Sequence, residues 1–141
     1  MEPDGDQIDA LLRLRGVRVT QARRSVFELL SGSALPLSAA RIDEMLGNAG
    51  RSIDLVTIYR TLETLERCGL ITRADRFNEG WRYMVISREH HHMIVCSECG
   101  SASPLDVCDL NRIEQSLERT TGFTNIRHSL QFYGICAGCR R

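Results

Sequence analysis

The sequence contains no lysine: its eighteen basic residues are all arginine, and eighteen acidic residues balance them. A formal net charge of zero argues against binding nucleic acid through a general positive field, although it leaves room for a local basic patch. No apolar run approaches the roughly 18 residues that a membrane helix needs. The acidic start, Met1–Asp4, lacks the apolar core of a signal peptide. We therefore expect a cytoplasmic protein with no membrane partner.

The composition is that of a globular protein, with 141 residues of which 43% are hydrophobic and 26% charged. This length suffices for one ordinary domain or two small ones. Six cysteines in a reducing compartment indicate metal binding or redox chemistry rather than disulfides.

The first half of the chain has a helical pattern that ends in a hairpin. Helices are predicted over Gln7–Arg15, after a Thr20 cap, over Ala39–Leu46 between a Ser38 cap and Gly47, and from an Asp54 cap to Gly69. Two strand-like runs follow, Leu70–Arg76 and Trp81–Ile86. Helices followed by a two-stranded hairpin are typical of a winged helix, in which the fourth helix is the recognition helix.

The fourth helix has one apolar face and one polar face. The apolar positions, spaced 3, 4 and 3, are Leu55, Ile58, Leu62 and Leu65. The polar face carries Thr57, Arg60, Thr61, Thr64 and Arg67. Because the N-terminal part of such a helix enters the major groove, Tyr59 and Arg60 are candidate DNA contacts. The alternatives are a solvated helix face for Arg60 and flanking core for Tyr59.

The character of the sequence changes near Ser87. A helix is predicted over Asp109–Arg119, followed by an alternating strand with Ile126, His128, Leu130 and Phe132 on one face. We therefore predict an α+β protein with an N-terminal winged-helix domain, residues 1–86, and a small α/β domain, residues 87–141.

Two CxxC pairs lie in this second half, Cys96 with Cys99 and Cys136 with Cys139. Two such pairs can complete a tetrahedron around one Zn²⁺, and four thiolates leave no open position for catalysis. The sequence therefore predicts a structural zinc site. The alternatives are unpaired buried cysteines or two redox dithiols.

All four histidines lie in the same half. His90 and His92 point the same way from an extended segment, and His128 lies on the apolar face of its strand. With an oxygen from Asp109–Asn111, they predict a second tetrahedral site of a type that suits Zn, Fe, Mn or Ni. The alternatives are a solvated histidine run and a core histidine at 128.

The order of these motifs resembles the ferric uptake regulator (Fur) family. The residues that carry the resemblance are Val19–Arg23, Ser38-Ala39, Thr57–Leu62, the run His90-His91-His92, Cys96-x-x-Cys99-Gly100, His128–Gly134 and Cys136-x-x-Cys139. The resemblance implies a homodimeric, metal-responsive repressor, with an N-terminal winged helix that binds near-palindromic operator DNA and a C-terminal domain that dimerises.

The resemblance also implies particular metal ligands. The structural zinc site corresponds to the four cysteines, and a second, regulatory site corresponds to His90, His92 and His128. The usual glutamate of that second site falls at Asn111, so its fourth ligand is Asp109, Asn111, water or another group.

A third family site, at the hinge, matches only at His91. Its other positions fall at Pro36, Met84 and Met93, which are not ligands for a hard or borderline metal. Sensing then uses the second site, or recruits Asp75, Glu89 or Cys108, or is lost.

The expected DNA contacts follow from the same resemblance. Thr57 and Tyr59 face bases, Arg60 faces the backbone, and Arg18 and Arg23 match contacts around the second helix. Residues 10–27 also contain Arg13, Arg15 and Arg24 and no acid, and they are expected to form a cationic patch beside the recognition helix.

Zinc is favoured over Fe²⁺ or Mn²⁺ as the sensed metal, because the short final CxxC and the nitrogen-rich cluster are most similar to zinc-uptake regulators of the family. The alternatives are an iron- or peroxide-responsive regulator of the family and a zinc-ribbon interaction module that does not bind DNA. An enzyme is not expected, since the sequence has neither HExxH nor a deaminase pattern, and no small organic substrate is expected as a partner.

Overall fold

The computed structural model describes residues 4–77, 80–86, 92–105, 109–126, 128 and 130–141. The chain divides into two compact units, Met1–Ile86 and Ser87–Arg141. In the described part of the first unit, the elements are α1 (Gly5–Leu14), α2 (Gln21–Ser31), β1 (Leu37–Ser38), α3 (Ala39–Asn48), α4 (Leu55–Arg67), β2 (Ile71–Phe77) and β3 (Gly80–Val85).

Three predicted helix starts are confirmed by their side-chain caps, whereas α1 begins at Gly5, before the predicted Gln7. The side chains of Thr20, Ser38 and Asp54 each accept the backbone N–H three residues later, at 3.2, 3.1 and 2.9 Å. These bonds satisfy donors that the first turn of a helix leaves unpaired. Local sequence therefore sets where α2, α3 and α4 begin.

The predicted end of α3 at Gly47 is wrong. The helix continues to Asn48, and the left-handed residue is Gly50, with φ +71°. The N–H of Arg51 donates to the Leu46 carbonyl at 2.8 Å, which closes a Schellman motif that needs its glycine at position 50.

The core of the first unit lies between its helices and a small antiparallel sheet of order β1-β3-β2. Ile58, Leu62 and Leu65 of α4 are fully buried there, together with Phe27 of α2 and Ile42 of α3. Burial of this stripe fixes the rotation of α4 about its axis, so the opposite face of the helix is exposed.

The second unit is smaller. Its described elements are β4 (His92–Cys96), β5 (Ala102–Leu105), α5 (Asn111–Thr121) and β6 (Gln131–Gly134). Central β4 pairs antiparallel with β5 and parallel with β6, from Met93↔Gln131 to Cys96↔Gly134.

The predicted alternating strand is only partly confirmed. Strand β6 begins at Gln131, and Leu130 and Phe132, predicted to face inward, are 38% and 44% exposed. Pairing with β4 starts at Gln131, and the Leu130 carbonyl turns instead toward the His92 ring. The described part of this unit also exposes several apolar side chains: Ile113, Leu117, Phe123, Tyr133 and Ile135.

Among the described helices, none has both the length and the apolar character that crossing a bilayer requires.

Candidate metal centres and nucleic-acid interface

The four cysteines of the two CxxC motifs lie close together in the second unit. Strand β4 ends at Cys96, and its parallel pairing with β6 brings the following segment alongside, so that the Cys136 N–H donates to Cys96 Sγ at 3.3 Å. Cys99 Sγ lies 3.8 Å from Cys136 Sγ, and the four sulfur atoms all lie within 4.8 Å of one another.

This arrangement fits a tetrahedral Zn²⁺. Four sulfurs at about 2.3 Å from one ion are about 3.8 Å apart, close to the spacing observed between Cys99 and Cys136. The described residues contain no other group of three or more His, Cys, Asp or Glu ligand atoms gathered this closely.

The thiols differ in acidity because their hydrogen bonds differ. Backbone N–H groups, first that of Cys136 and then that of Cys99, lower the pKa of Cys96 to about 6 by stabilising its thiolate. Bonds with Cys136 and Cys99 raise the pKa of Cys139 to about 12, since they hold its proton among neighbouring sulfurs. A hydrogen bond from Ser101 also lowers the pKa of Cys99. Full deprotonation of the cluster, Cys139 included, therefore needs a cation.

Two of the predicted histidine ligands are brought together. His92 is the first residue of β4 and is buried, and its Nε2 lies 3.2 Å from Nε2 of half-buried His128. His90 and His91 lie outside the described residues.

The carboxylate at this pair is Glu114, which sequence reasoning missed. Its Oε1 lies 2.6 Å from His128 Nδ1. Asp109 and Asn111, the expected oxygen donors, are both exposed, Asn111 as the first residue of α5. Glu114 lies one helical turn beyond Asn111, so i, i+3 spacing on the predicted helix was the signal that could have found it.

The hinge positions hold no usual ligand. Pro36 is buried immediately before β1, Met84 lies in β3 next to the Leu37↔Tyr83 pair, and Met93 is buried in β4. Of the substitutes considered, Asp75 lies in β2 at a register irregularity, whereas Glu89 and Cys108 lie outside the described residues.

The first turns of α4 expose a surface that carries both apolar and charged side chains. Tyr59 and Val56 are 50% and 59% exposed, and Arg60 is also exposed. Val56 was not a predicted contact, yet its methyl groups suit the C5-methyl of thymine. Leu55, predicted on the apolar face, is 41% exposed because it precedes the packed turns of the helix. Thr61, predicted on the polar face, is 4% exposed because it lies between Ile58 and Leu65.

Thr57 is held in the cap of the same helix. Its hydroxyl donates to Asp54 Oδ2 at 2.6 Å and its N–H donates to Asp54 Oδ1 at 2.9 Å. These bonds, the hydroxyl's first, lower the pKa of Asp54. A contact from Thr57 to DNA therefore uses the hydroxyl oxygen as an acceptor or the methyl group.

The expected cationic patch is smaller than the sequence suggested. Arg15 donates to the carbonyls of Cys68 and Gly69, at 3.2 and 3.4 Å, and so covers the C-terminal end of α4 rather than its N-terminal end. Arg24 is paired with Asp9 of α1, with 2.8 Å between Nε and Oδ1. Arg18 is exposed, and Arg23 Nη1 donates to the Arg18 carbonyl at 2.8 Å. Two of the five arginines are thus used to hold helices together.

Comparison with known proteins gives a consistent result. The model of the ferric uptake regulator family matches residues 14–133. The peroxide-responsive repressor PerR of Staphylococcus aureus is 27% identical over 140 residues, covering 99% of this chain and 94% of that protein.

Solved structures show the same fold. The ferric uptake regulator of Vibrio cholerae is 26% identical, with a TM-score of 0.72 over 91% of this chain and 98% of that one. A zinc uptake regulator complexed with zinc and DNA is 24% identical, with a TM-score of 0.60 over 96% of this chain and 91% of that one, a likeness of fold alone.

Proposed function

This chain belongs to the ferric uptake regulator family, and from that premise we propose that it is a zinc-responsive transcriptional repressor, acting in the cytoplasm as a homodimer on near-palindromic operator DNA. Members of the family are metal-responsive, DNA-binding transcription regulators and not enzymes. We assign DNA binding to residues 1–86 and dimerisation with metal binding to residues 87–141.

The observation that carries the metal assignment is the pairing of His92 with His128. Two imidazoles whose Nε2 atoms lie 3.2 Å apart form a nitrogen-rich site, which suits Zn²⁺ better than Mn²⁺. We assign His90 as a further ligand by resemblance. The four-cysteine cluster is assigned a structural zinc, because it offers four sulfurs and no open position.

The hinge positions support sensing at the histidine pair. A buried proline and two methionines replace the usual ligands there, so these positions offer no nitrogen or oxygen side-chain ligand for iron. The likeness to PerR keeps an iron- or peroxide-responsive regulator as the second candidate. We place His91 outside the sensing set.

The DNA assignment depends on the exposed face of α4. Tyr59 and Val56 supply apolar contacts for base edges, and Arg60 supplies a charge for phosphate or guanine. Thr57, Arg18 and Arg23 complete the proposed contacts.

The exposed apolar side chains of the second unit support dimerisation. Ile113, Leu117 and Phe132 are 54%, 42% and 44% exposed, and a second copy of the chain could cover this apolar surface. In the proposed mechanism, His92 and His128 would hold the regulatory zinc, and the zinc-loaded dimer would present its two winged helices at the spacing of the operator, which the zinc-free dimer would not keep.

The test compares metals. Protein that retains one tightly held zinc is titrated with Zn²⁺, Fe²⁺ or Mn²⁺, and binding to an operator selected from random DNA is measured by gel shift. Restoration by zinc at the lowest free concentration supports the proposal. Restoration by iron, abolished by peroxide, supports the second candidate, and no binding with any metal supports an interaction module.

A further inference from the structure

Two hydrogen bonds set the orientation of the paired imidazoles. His128 Nδ1 lies 2.6 Å from Glu114 Oε1, and His92 Nδ1 lies 3.3 Å from the Leu130 carbonyl oxygen. A carboxylate and a carbonyl only accept, so each Nδ1 carries the donated hydrogen. In the neutral form of each ring, Nε2 then carries the lone pair that binds a metal.

The two Nε2 atoms converge. They lie 3.2 Å apart, with ring centroids separated by 5.0 Å and ring planes inclined by 31°. Two nitrogens at about 2.0–2.1 Å from one tetrahedral Zn²⁺ are about 3.3 Å apart, so the observed separation fits shared coordination of one ion.

We propose that Glu114 is the positioning residue of this second metal site: it fixes His128 so that Nε2 faces the ion, and it does not bind the ion itself. The proposal rests on the regulatory site assigned above. An oxygen hydrogen-bonded at Nδ1 lies on a different side of the ring from Nε2. Consistent with this, Glu114 is not part of any described group of three or more ligand atoms within 4.8 Å of one another.

The hydrogen bond between Glu114 and His128 is largely shielded from water. The Glu114 side chain is 18% exposed and that of His128 is 16% exposed, so water competes weakly for this bond.

This arrangement bears on metal preference. By resemblance, the family's glutamate ligand falls at Asn111. In this chain the carboxylate of Glu114 lies one turn later on the same helix and is hydrogen-bonded to the His128 ring. The described ligands of the pair then offer the ion two imidazole nitrogens and no carboxylate oxygen. That donor set favours Zn²⁺ over Mn²⁺, which prefers oxygen.

The test uses the full chain with zinc retained at the four cysteines. Glu114→Ala and Glu114→Gln are compared with Glu118→Gln, a charge-matched control on an exposed residue one turn further along α5. Zinc affinity of the second site is measured by competition with a chelator. We expect Glu114→Ala to weaken it about 10–100-fold, as loss of such outer partners does. The control is expected to match the parent, and Glu114→Gln is expected to lie between, because its amide oxygen still accepts the bond without the charge.

Two spectroscopic readouts separate positioning from ligation and from general damage. Nitrogen-15 NMR of the imidazoles, recorded at alkaline pH without the second ion, should show the hydrogen on Nδ1 of His128 in the parent and a mixture of tautomers in Glu114→Ala. X-ray absorption of cobalt bound at the second site should show the same number of oxygen neighbours in both proteins.

Each contrary result has a distinct meaning. Equal zinc affinity in Glu114→Ala and the control overturns the inference alone. Loss of an oxygen neighbour from cobalt in Glu114→Ala also overturns it, because Glu114 would then be a ligand. A parent that takes up no second ion overturns the proposed regulatory site and this inference with it.

Discussion

Replacing one ligand of the four-cysteine cluster should unfold the second unit and leave the first unit folded. Among the described residues, the second unit buries three apolar side chains, Met93, Val95 and the ligand Cys96 itself, against sixteen in the first unit. At about 1.5–3 kcal/mol each, burial of Met93 and Val95 contributes about 3–6 kcal/mol. A structural zinc in a small domain contributes about 10–16 kcal/mol, so zinc stabilises this unit more than its apolar core does.

The variant is Cys96→Ser, and Cys68→Ser is its matched control, since Cys68 lies in the first unit and its thiol donates to the Leu65 carbonyl. The chain has one tryptophan, Trp81 in β3, so its fluorescence in urea reports on the first unit. Hydrogen exchange along β4 reports on the second unit.

We expect Cys96→Ser to lose the bound zinc and the exchange protection of β4, while the Trp81 transition stays where it is in the parent. Protected β4 amides in zinc-free protein would refute the reasoning. A Trp81 transition that moves with the loss of zinc would refute it equally, because the two units would then unfold together.

Three further predictions concern the first unit. With its guanidinium on phosphate, Arg60→Ala should weaken DNA binding about equally across sequences. It should also reduce by about 1 the slope of log affinity against log salt, measured by anisotropy at several salt concentrations. A change in the preferred base would instead place the guanidinium on a base edge. Leu62→Ala should lower the free energy of unfolding by about 2–5 kcal/mol in urea, because Leu62 is fully buried, and a loss below about 1 kcal/mol would contradict that burial. The Arg24 hydrogen bond lowers the pKa of Asp9 below its ordinary 3.8, so the stability it gives is complete above that value and is lost as the pH falls through the lower folded pKa. Asp9→Asn should therefore be less stable than the parent at pH 7 and close to it in strong acid, and an equal deficit at both would contradict the assignment.

Features set by neighbouring residues were predicted well from sequence. The caps of α2, α3 and α4 need only a side chain and an N–H three residues away, so a pattern of residue types is enough to locate them. The buried stripe of α4 followed from its spacing in the same way. The gathering of the four cysteines was expected because CxxC fixes each pair locally, which leaves only the approach of two pairs to be set by the sheet.

Features set by contacts between elements were predicted poorly. Arg24 meets Asp9 and Arg15 meets the end of α4 only because α1, α2 and α4 pack together, so sequence alone assigned both arginines to a DNA-facing patch. Glu114 was missed for the same reason, because the approach of α5 to His128 is a tertiary contact. Apolar alternation before Gln131 suggested a longer strand, whereas the described pairing with β4 begins at Gln131.

If zinc at the histidine pair controls DNA affinity, loading that pair must tighten binding to the operator. Anisotropy of a labelled operator is recorded with protein holding zinc only at the four cysteines, and again after a second equivalent of zinc, for the parent and for His128→Ala. We expect at least about tenfold tighter binding by the doubly loaded parent, equivalent to about 1.4 kcal/mol, and no such gain in His128→Ala. Equal affinity of the parent with one and with two zinc ions would show that the histidine pair does not regulate DNA binding.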